Sequence, residues 1–94
     1  NENKPVEPFI VHNNIEKVKI YPNPTRGNLV IESRKPLKQV FITDFAGKIL
    51  MNLAMNPKQN QWKADITQYP AGTYMVKYVT TGNEWGAEKI LLMH

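Results

Sequence analysis

Little in this sequence is equipped to make or break a covalent bond. Nucleophilic catalysis needs a base beside its nucleophile, yet the 94 residues hold one serine, Ser33, and two histidines, His12 near the start and His94 at the end. Cysteine is absent, which excludes disulfides and thiolate metal sites. A zinc site built on imidazoles needs three or four converging ligands, and two histidines at distant ends do not supply them. No metal and no cofactor is expected. The carboxylates of Glu32, Asp44, Asp65, Glu84 and Glu88 stand beside turns or lysines rather than as a working acid and base pair. Asp44 is of the type that satisfies turn amides. Gly47-Lys48 lacks the glycine spacing before it and the Ser or Thr after it that a phosphate loop requires. The chain is therefore expected not to be an enzyme.

Charge and rings offer binding instead of catalysis. The net charge is +4, but the ten lysines and two arginines are scattered among eight acids and never form a run of three. Nucleic-acid footprints cluster on one face, so the basic residues read as a solvated surface and no nucleic-acid partner is expected. Nine aromatic residues are present, and Trp62, Trp85, Tyr74 and Tyr78 are the members that would stack on sugars. A carbohydrate-binding or adhesion module is thus the alternative reading. Tyr74, Val76 and Tyr78 share one strand face, however, and such a row fills a sandwich core. Trp85, beside a turn, is the ring expected to be exposed. No run approaches the roughly 20 apolar residues of a membrane span. The first residues lack a basic segment followed by an apolar stretch, so they do not form a signal peptide, and any export signal is expected upstream.

The elements that would position these residues are short strands. Residues 1–13 carry prolines, asparagines and mixed charges and read as a linker, with Phe9-Ile10-Val11 as an extended exception. Residues 14–94 form one domain. From Ile15 the pattern has period two: Ile15–Ile20, Asn28–Ser33, Gln39–Thr43, Lys48–Leu53, Trp62–Ile66, Tyr74–Val79 and Trp85–Met93 are the expected strands. Pro22, Asn23 and Pro24 close on Gly27 and take the chain out of the first strand. Asp44 to Gly47-Lys48 is a hairpin turn in which glycine supplies a positive φ. Pro70 and Gly72 precede the sixth strand, and Thr81-Gly82-Asn83 turns it into the seventh. Seven strands spaced by about ten residues, with no helical period, predict an all-β fold, a seven-stranded antiparallel immunoglobulin-like β-sandwich.

The last strand is apolar on both sides: Ile90 and Leu92 point one way, Leu91 and Met93 the other, with Lys89 beside them. A small sandwich buries one of those faces. The other is expected to meet the linker, a second copy or a receptor, which makes homodimerisation through the terminal strands an expectation.

Laid in order, Tyr21-Pro22-Asn23-Pro24 with Gly27, Leu29 and Ile31, then Val40-Phe41-Ile42-Thr43-Asp44 with Gly47-Lys48, then Pro70-Ala71-Gly72-Thr73-Tyr74-Met75-Val76, resemble the signature blocks of the C-terminal sorting domain of type IX secretion cargo. The resemblance spans about residues 18 to 94. It implies a noncatalytic signal that directs a cargo protein across the bacterial outer membrane, by way of the periplasm, to the cell surface or the medium. The implied partners are the type IX translocon, its shuttle proteins and a sortase-type peptidase that removes the domain. Lys89, Ile90, Leu91, Leu92, Met93 and His94 would be the recognition segment, and Pro22, Asn23, Pro24, Gly27, Asp44, Gly47, Lys48, Pro70 and Gly72 the residues that set its shape. Many members end in Lys or Arg where this chain has His94.

Overall fold

A computed structural model describes residues 18–56 and 58–94. The linker expected over 1–13, the Phe9-Ile10-Val11 segment and the start of the first expected strand lie outside the described residues. Seven strands follow: β1 (Val18–Tyr21), β2 (Asn28–Ser33), β3 (Leu37–Asp44), β4 (Ile49–Ala54), β5 (Gln61–Asp65), β6 (Gly72–Thr80) and β7 (Trp85–Leu92). They form a three-stranded sheet in the order β1-β2-β5 and a four-stranded sheet in the order β4-β3-β6-β7. All pairings between them are antiparallel. The expected sandwich is present.

Alternation places the core between the sheets. Val18 and Ile20, Leu29 and Ile31, Leu37, Val40 and Ile42, Tyr74 and Val76, and Ile90 and Leu92 are all buried in one cluster. Each such aliphatic side chain contributes about 1.5–3 kcal/mol when fully buried. Strand limits differ slightly from expectation. The third strand starts at Leu37, where a bulge between Leu37 and Gln39 in its pairing with β6 keeps Leu37 in register with Thr80. Ile66 lies just past β5, fully buried, with its N–H donating to the Gly27 carbonyl at 2.7 Å.

The antiparallel order sorts the connections into two poles. The turn between β1 and β2, the turn between β3 and β4, the loop between β5 and β6, and the end of β7 lie at one pole, because Asp44 pairs with Tyr74, Tyr74 with Ile90 and Gly72 with Leu92. The other pole carries the β2–β3, β4–β5 and β6–β7 connections and the start of β1, where Val18 pairs with Ser33.

Two glycines at the first pole answer to different constraints. Gly27 has φ of 132°, and a Cβ there would lie 2.2 Å from Thr67 Cγ2 and 3.0 Å from Thr67 Cα. Gly47 has φ of 97° with open space around it. Gly27→Ala therefore combines backbone strain with overpacking and is expected to cost about 3 kcal/mol, whereas Gly47→Ala carries strain alone and costs about 1 kcal/mol. Urea denaturation of the two variants checks the difference.

Candidate recognition site at the terminal strand

The first turn does more than reverse the chain. After β1 the backbone leaves the three-stranded sheet through Pro22, Asn23 and Pro24, with cis peptide bonds before both prolines, and comes to lie along the outer edge of β7. Thr25 N–H donates to the Leu91 carbonyl at 2.9 Å and the Thr25 carbonyl accepts from Met93 N–H at 2.8 Å. Thr25 and Leu92 thus form a parallel bridge. One residue pair earlier, the Asn23 side chain completes the contact. Its Nδ2 donates to the Lys89 carbonyl at 2.9 Å and its Oδ1 accepts from Leu91 N–H at 3.1 Å. A primary amide carries a donor and an acceptor in the same arrangement as a peptide group, so Asn23 extends the seam with its side chain.

Thr25 holds the turn itself together. It is 1% exposed, its hydroxyl donates to the Asn28 carbonyl at 2.8 Å, and it accepts from Gly27 N–H at 3.0 Å. Sequence reasoning passed over Thr25. A β-branched hydroxyl residue between Pro24 and Gly27 is the available signal, since threonine in turns bonds to the backbone nearby.

The other turns converge on the same strand end. Gly72 pairs with Leu92, and the phenol of Tyr74 donates to the Pro70 carbonyl. His94 Nε2 donates to the Tyr69 carbonyl at 2.8 Å, a contact the residue types did not announce. In the β3–β4 turn, Asp44 Oδ1 accepts from Lys48 N–H at 2.8 Å, and the Asp44 carbonyl accepts from Gly47 N–H at 3.0 Å. That carboxylate serves the turn.

On β7 the structure separates the candidate residues by face. Ile90 and Leu92 are each 1% exposed and belong to the core, whereas Leu91 and Met93 are each 43% exposed. Lys89 and His94 are exposed as well. Among the described residues, the pole therefore presents a short row of Lys89, Leu91 and Met93 whose backbone is clamped from the side. Glu88 faces the other way, beside Tyr78. Burial pushes the Glu88 carboxyl above the usual glutamate range, opposed by a hydrogen bond from Asn23. Burial, with the Glu88 charge second, raises the Tyr78 phenol.

The four candidate rings do not share one face. Trp62, on β5, packs against the core, and Trp85 stands 67% exposed on the outer side of the four-stranded sheet. Trp85 stacks on Phe41 at 6.3 Å between centroids. Tyr74 is buried. Among the described residues no group of three or more His, Asp or Glu side chains is placed to hold a metal ion, and no helix is long and apolar enough to cross a membrane.

The family model described as "Secretion system C-terminal sorting domain" matches residues 19–93. No curated protein gives a significant match. Among solved structures, a DUF3244 family protein with an immunoglobulin-like β-sandwich fold from Bacteroides vulgatus superposes with a TM-score of 0.69 at 16% identity, covering 82% of this chain and 85% of that one. CopC from Methylosinus trichosporium gives a TM-score of 0.46 at 14% identity, over 83% of this chain and 84% of that one.

The Asn23 contact yields two expectations. Asn23→Ala removes both bonds to β7 and is expected to destabilise the domain by about 1–2 kcal/mol, read by urea denaturation. Because the folded Glu88 carboxyl titrates above its unfolded value, its contribution favours folding below the ordinary glutamate range and is lost as pH rises through the raised value. Glu88→Gln is thus expected to be more stable than the parent at pH 7, by a margin that closes toward pH 3, below the ordinary glutamate range, where the parent carboxyl is protonated in the folded and the unfolded chain alike. Denaturation midpoints at the two pH values check the sign.

Proposed function

This chain belongs to the secretion-system C-terminal sorting domain family, and we propose that its terminal ribbon is the part that the type IX machinery reads. The domain is a type IX sorting signal, and its family places the cargo on a route toward the outer membrane, the cell surface or the medium. We read the chain as a non-enzymatic module, a reading that its family and its sandwich fold support. In the finer reading, the translocon and its shuttle proteins contact Lys89, Leu91, Met93 and His94. Ile90 and Leu92 act from beneath by anchoring the strand in the core. Pro22, Asn23, Pro24 and Gly27 hold the outer edge, and Asp44, Gly47, Lys48, Pro70 and Gly72 shape the turns around it. A sortase-type peptidase acts on the chain before β1, which starts at the pole opposite the end of β7.

The observation that carries this reading is the pair of exposed apolar side chains, Leu91 and Met93, that alternate with the buried Ile90 and Leu92 at the end of β7. Exposed apolar patches on small domains mark contact sites. Deleting residues 90–94 would not separate recognition from folding, because it removes Ile90 and Leu92 from the core. Paired Leu91→Asp and Met93→Asp substitutions do separate them, since neither side chain belongs to the core cluster.

A reporter with a periplasmic export signal, fused ahead of this chain in a host with type IX secretion, is expected to reach the surface. The Leu91→Asp, Met93→Asp version is expected to remain in the periplasm while its denaturation midpoint stays close to the parent's. Equal surface delivery of the two reporters would reject Leu91 and Met93 as contacts.

A further inference from the structure

The clamp by Asn23 and Thr25 covers only the upper half of the β7 edge. Leu91 turns both its N–H and its C=O toward the first turn, so the pair Leu91 and Thr73 exchanges no backbone hydrogen bonds within the sheet. Pairing along β7 continues without a bulge from Trp85 to Leu92. In an antiparallel ladder the bonded and non-bonded pairs alternate, so Trp85, Ala87 and Lys89 likewise turn their peptide groups away from β6. Lys89 gives its carbonyl to Asn23. Among the described residues no strand lies beyond β7 in the sheet order. Trp85 and Ala87 thus turn both N–H and C=O outward and Lys89 its N–H alone, its carbonyl staying with Asn23, so the lower half of β7 is a strand edge of the kind that templates another strand.

We propose that this stretch is a self-pairing edge: the occupant is residues 85–89 of a second copy, antiparallel, with the two-fold axis at Ala87. Charge selects the register. Only pairings that join outward-turned residues make bonds, which centres the axis on residue 86, 87 or 88. An axis at 88 sets Glu88 against the partner's Glu88, and an axis at 86 sets Glu84 against the partner's Glu88. Like charges directly opposite one another are destabilising in a sheet. The axis at Ala87 avoids both clashes. It sets Glu88 against the partner's Gly86, Ala87 against the partner's Ala87, and Trp85 against the partner's Lys89.

The side chains suit that arrangement. Gly86 has no room for a Cβ on its own inner side, where one would lie 2.3 Å from the Tyr78 ring, so each Glu88 meets a residue that presents no side chain to obstruct it. On the outer side Trp85 is 67% exposed, and a lysine ammonium beside an indole gains a cation–π attraction. The two four-stranded sheets become one of eight strands, joined through β7. The terminal-strand self-association expected from the sequence thereby acquires a register. It rests on the strand edge alone and holds whether or not Leu91 and Met93 meet the secretion machinery, because neither residue lies in the paired segment.

The absence of cysteine supplies the test. An antiparallel bonded pair on the two-fold sets the two Cα atoms at residue 87 about 5.5 Å apart, within reach of a disulfide. Under a glutathione redox buffer the 94-residue chain carrying Ala87→Cys is expected to form a covalent dimer about ten-fold faster than one carrying Ala54→Cys, since pairing raises the effective thiol concentration. Ala54 is the matched control, being exposed on β4, the opposite edge strand. Sedimentation of the unmodified chain is expected to show a concentration-dependent dimer, weakened about ten-fold by Lys89→Glu, which replaces the attraction at Trp85 with none. A chain that stays monomeric to about 1 mM, or an Ala87→Cys variant that crosslinks no faster than Ala54→Cys, overturns the proposal. Surface delivery of the reporter is measured separately, so a monomeric result leaves the secretion reading standing and a delivery failure leaves the dimer standing.

Discussion

The seam between the first turn and the last strand is the constraint on which the rest of this small sandwich depends. A domain of fewer than about 100 residues has one modest core and little stability to spare, and this one has no disulfide to staple its end. An edge strand at the end of a chain would fray if only one side were paired. Four hydrogen bonds from Asn23 and Thr25, two through a side chain and two through backbone, pair the other side of β7 where it ends. Thr25 is in turn fixed by Gly27 and Asn28, and Gly27 by Ile66 and Thr67. A tension on the last residues is therefore transmitted to both sheets.

That seam gives the shape of the site a physical origin. Ile90 and Leu92 hold β7 from the core side, the clamp holds its edge, and β6 holds the opposite edge. What is left outward is the row Lys89, Leu91 and Met93. A recognition element presented in this way loses little conformational freedom when it binds, because its backbone is already ordered. The two-pole layout adds a second property. The elements that fix the ribbon share one end of the sandwich, whereas β1 begins at the other, so a protein attached upstream need not crowd the ribbon.

Much of this was legible in the residues. Period-two alternation from Ile15 onward named the core face of β6, and Pro22, Pro24 and Gly47 punctuated the strands because the prolines lack donors and Gly47 supplies a positive φ. The exposure of Trp85 followed from its place beside a turn, and alternation set Ile90 and Leu92 apart from Leu91 and Met93 without saying which pair is buried. The seam was not legible. Asn23 and Lys89 are 66 residues apart, and no local pattern states that an asparagine in a turn will lie beside a strand so distant in sequence. Thr25 was hidden for the same reason, and His94 gave no sign of its bond to Tyr69. That Trp62 and Trp85 form no joint platform was hidden too, since it depends on the two rings belonging to different sheets.

The seam is tested most directly by amide hydrogen exchange on the unmodified chain at low concentration, read residue by residue along β7. The amides of Ala87, Lys89 and Leu91 turn away from β6, Met93 follows just past the last β6–β7 pair, and the four differ in what lies beyond them. If the first turn clamps the strand end, Leu91 and Met93 exchange far more slowly than Ala87 and Lys89, with protection near that of core amides such as Val76. Exchange of all four at the rate of an exposed turn amide such as Ala46 would contradict the clamp and, with it, the rigid ribbon.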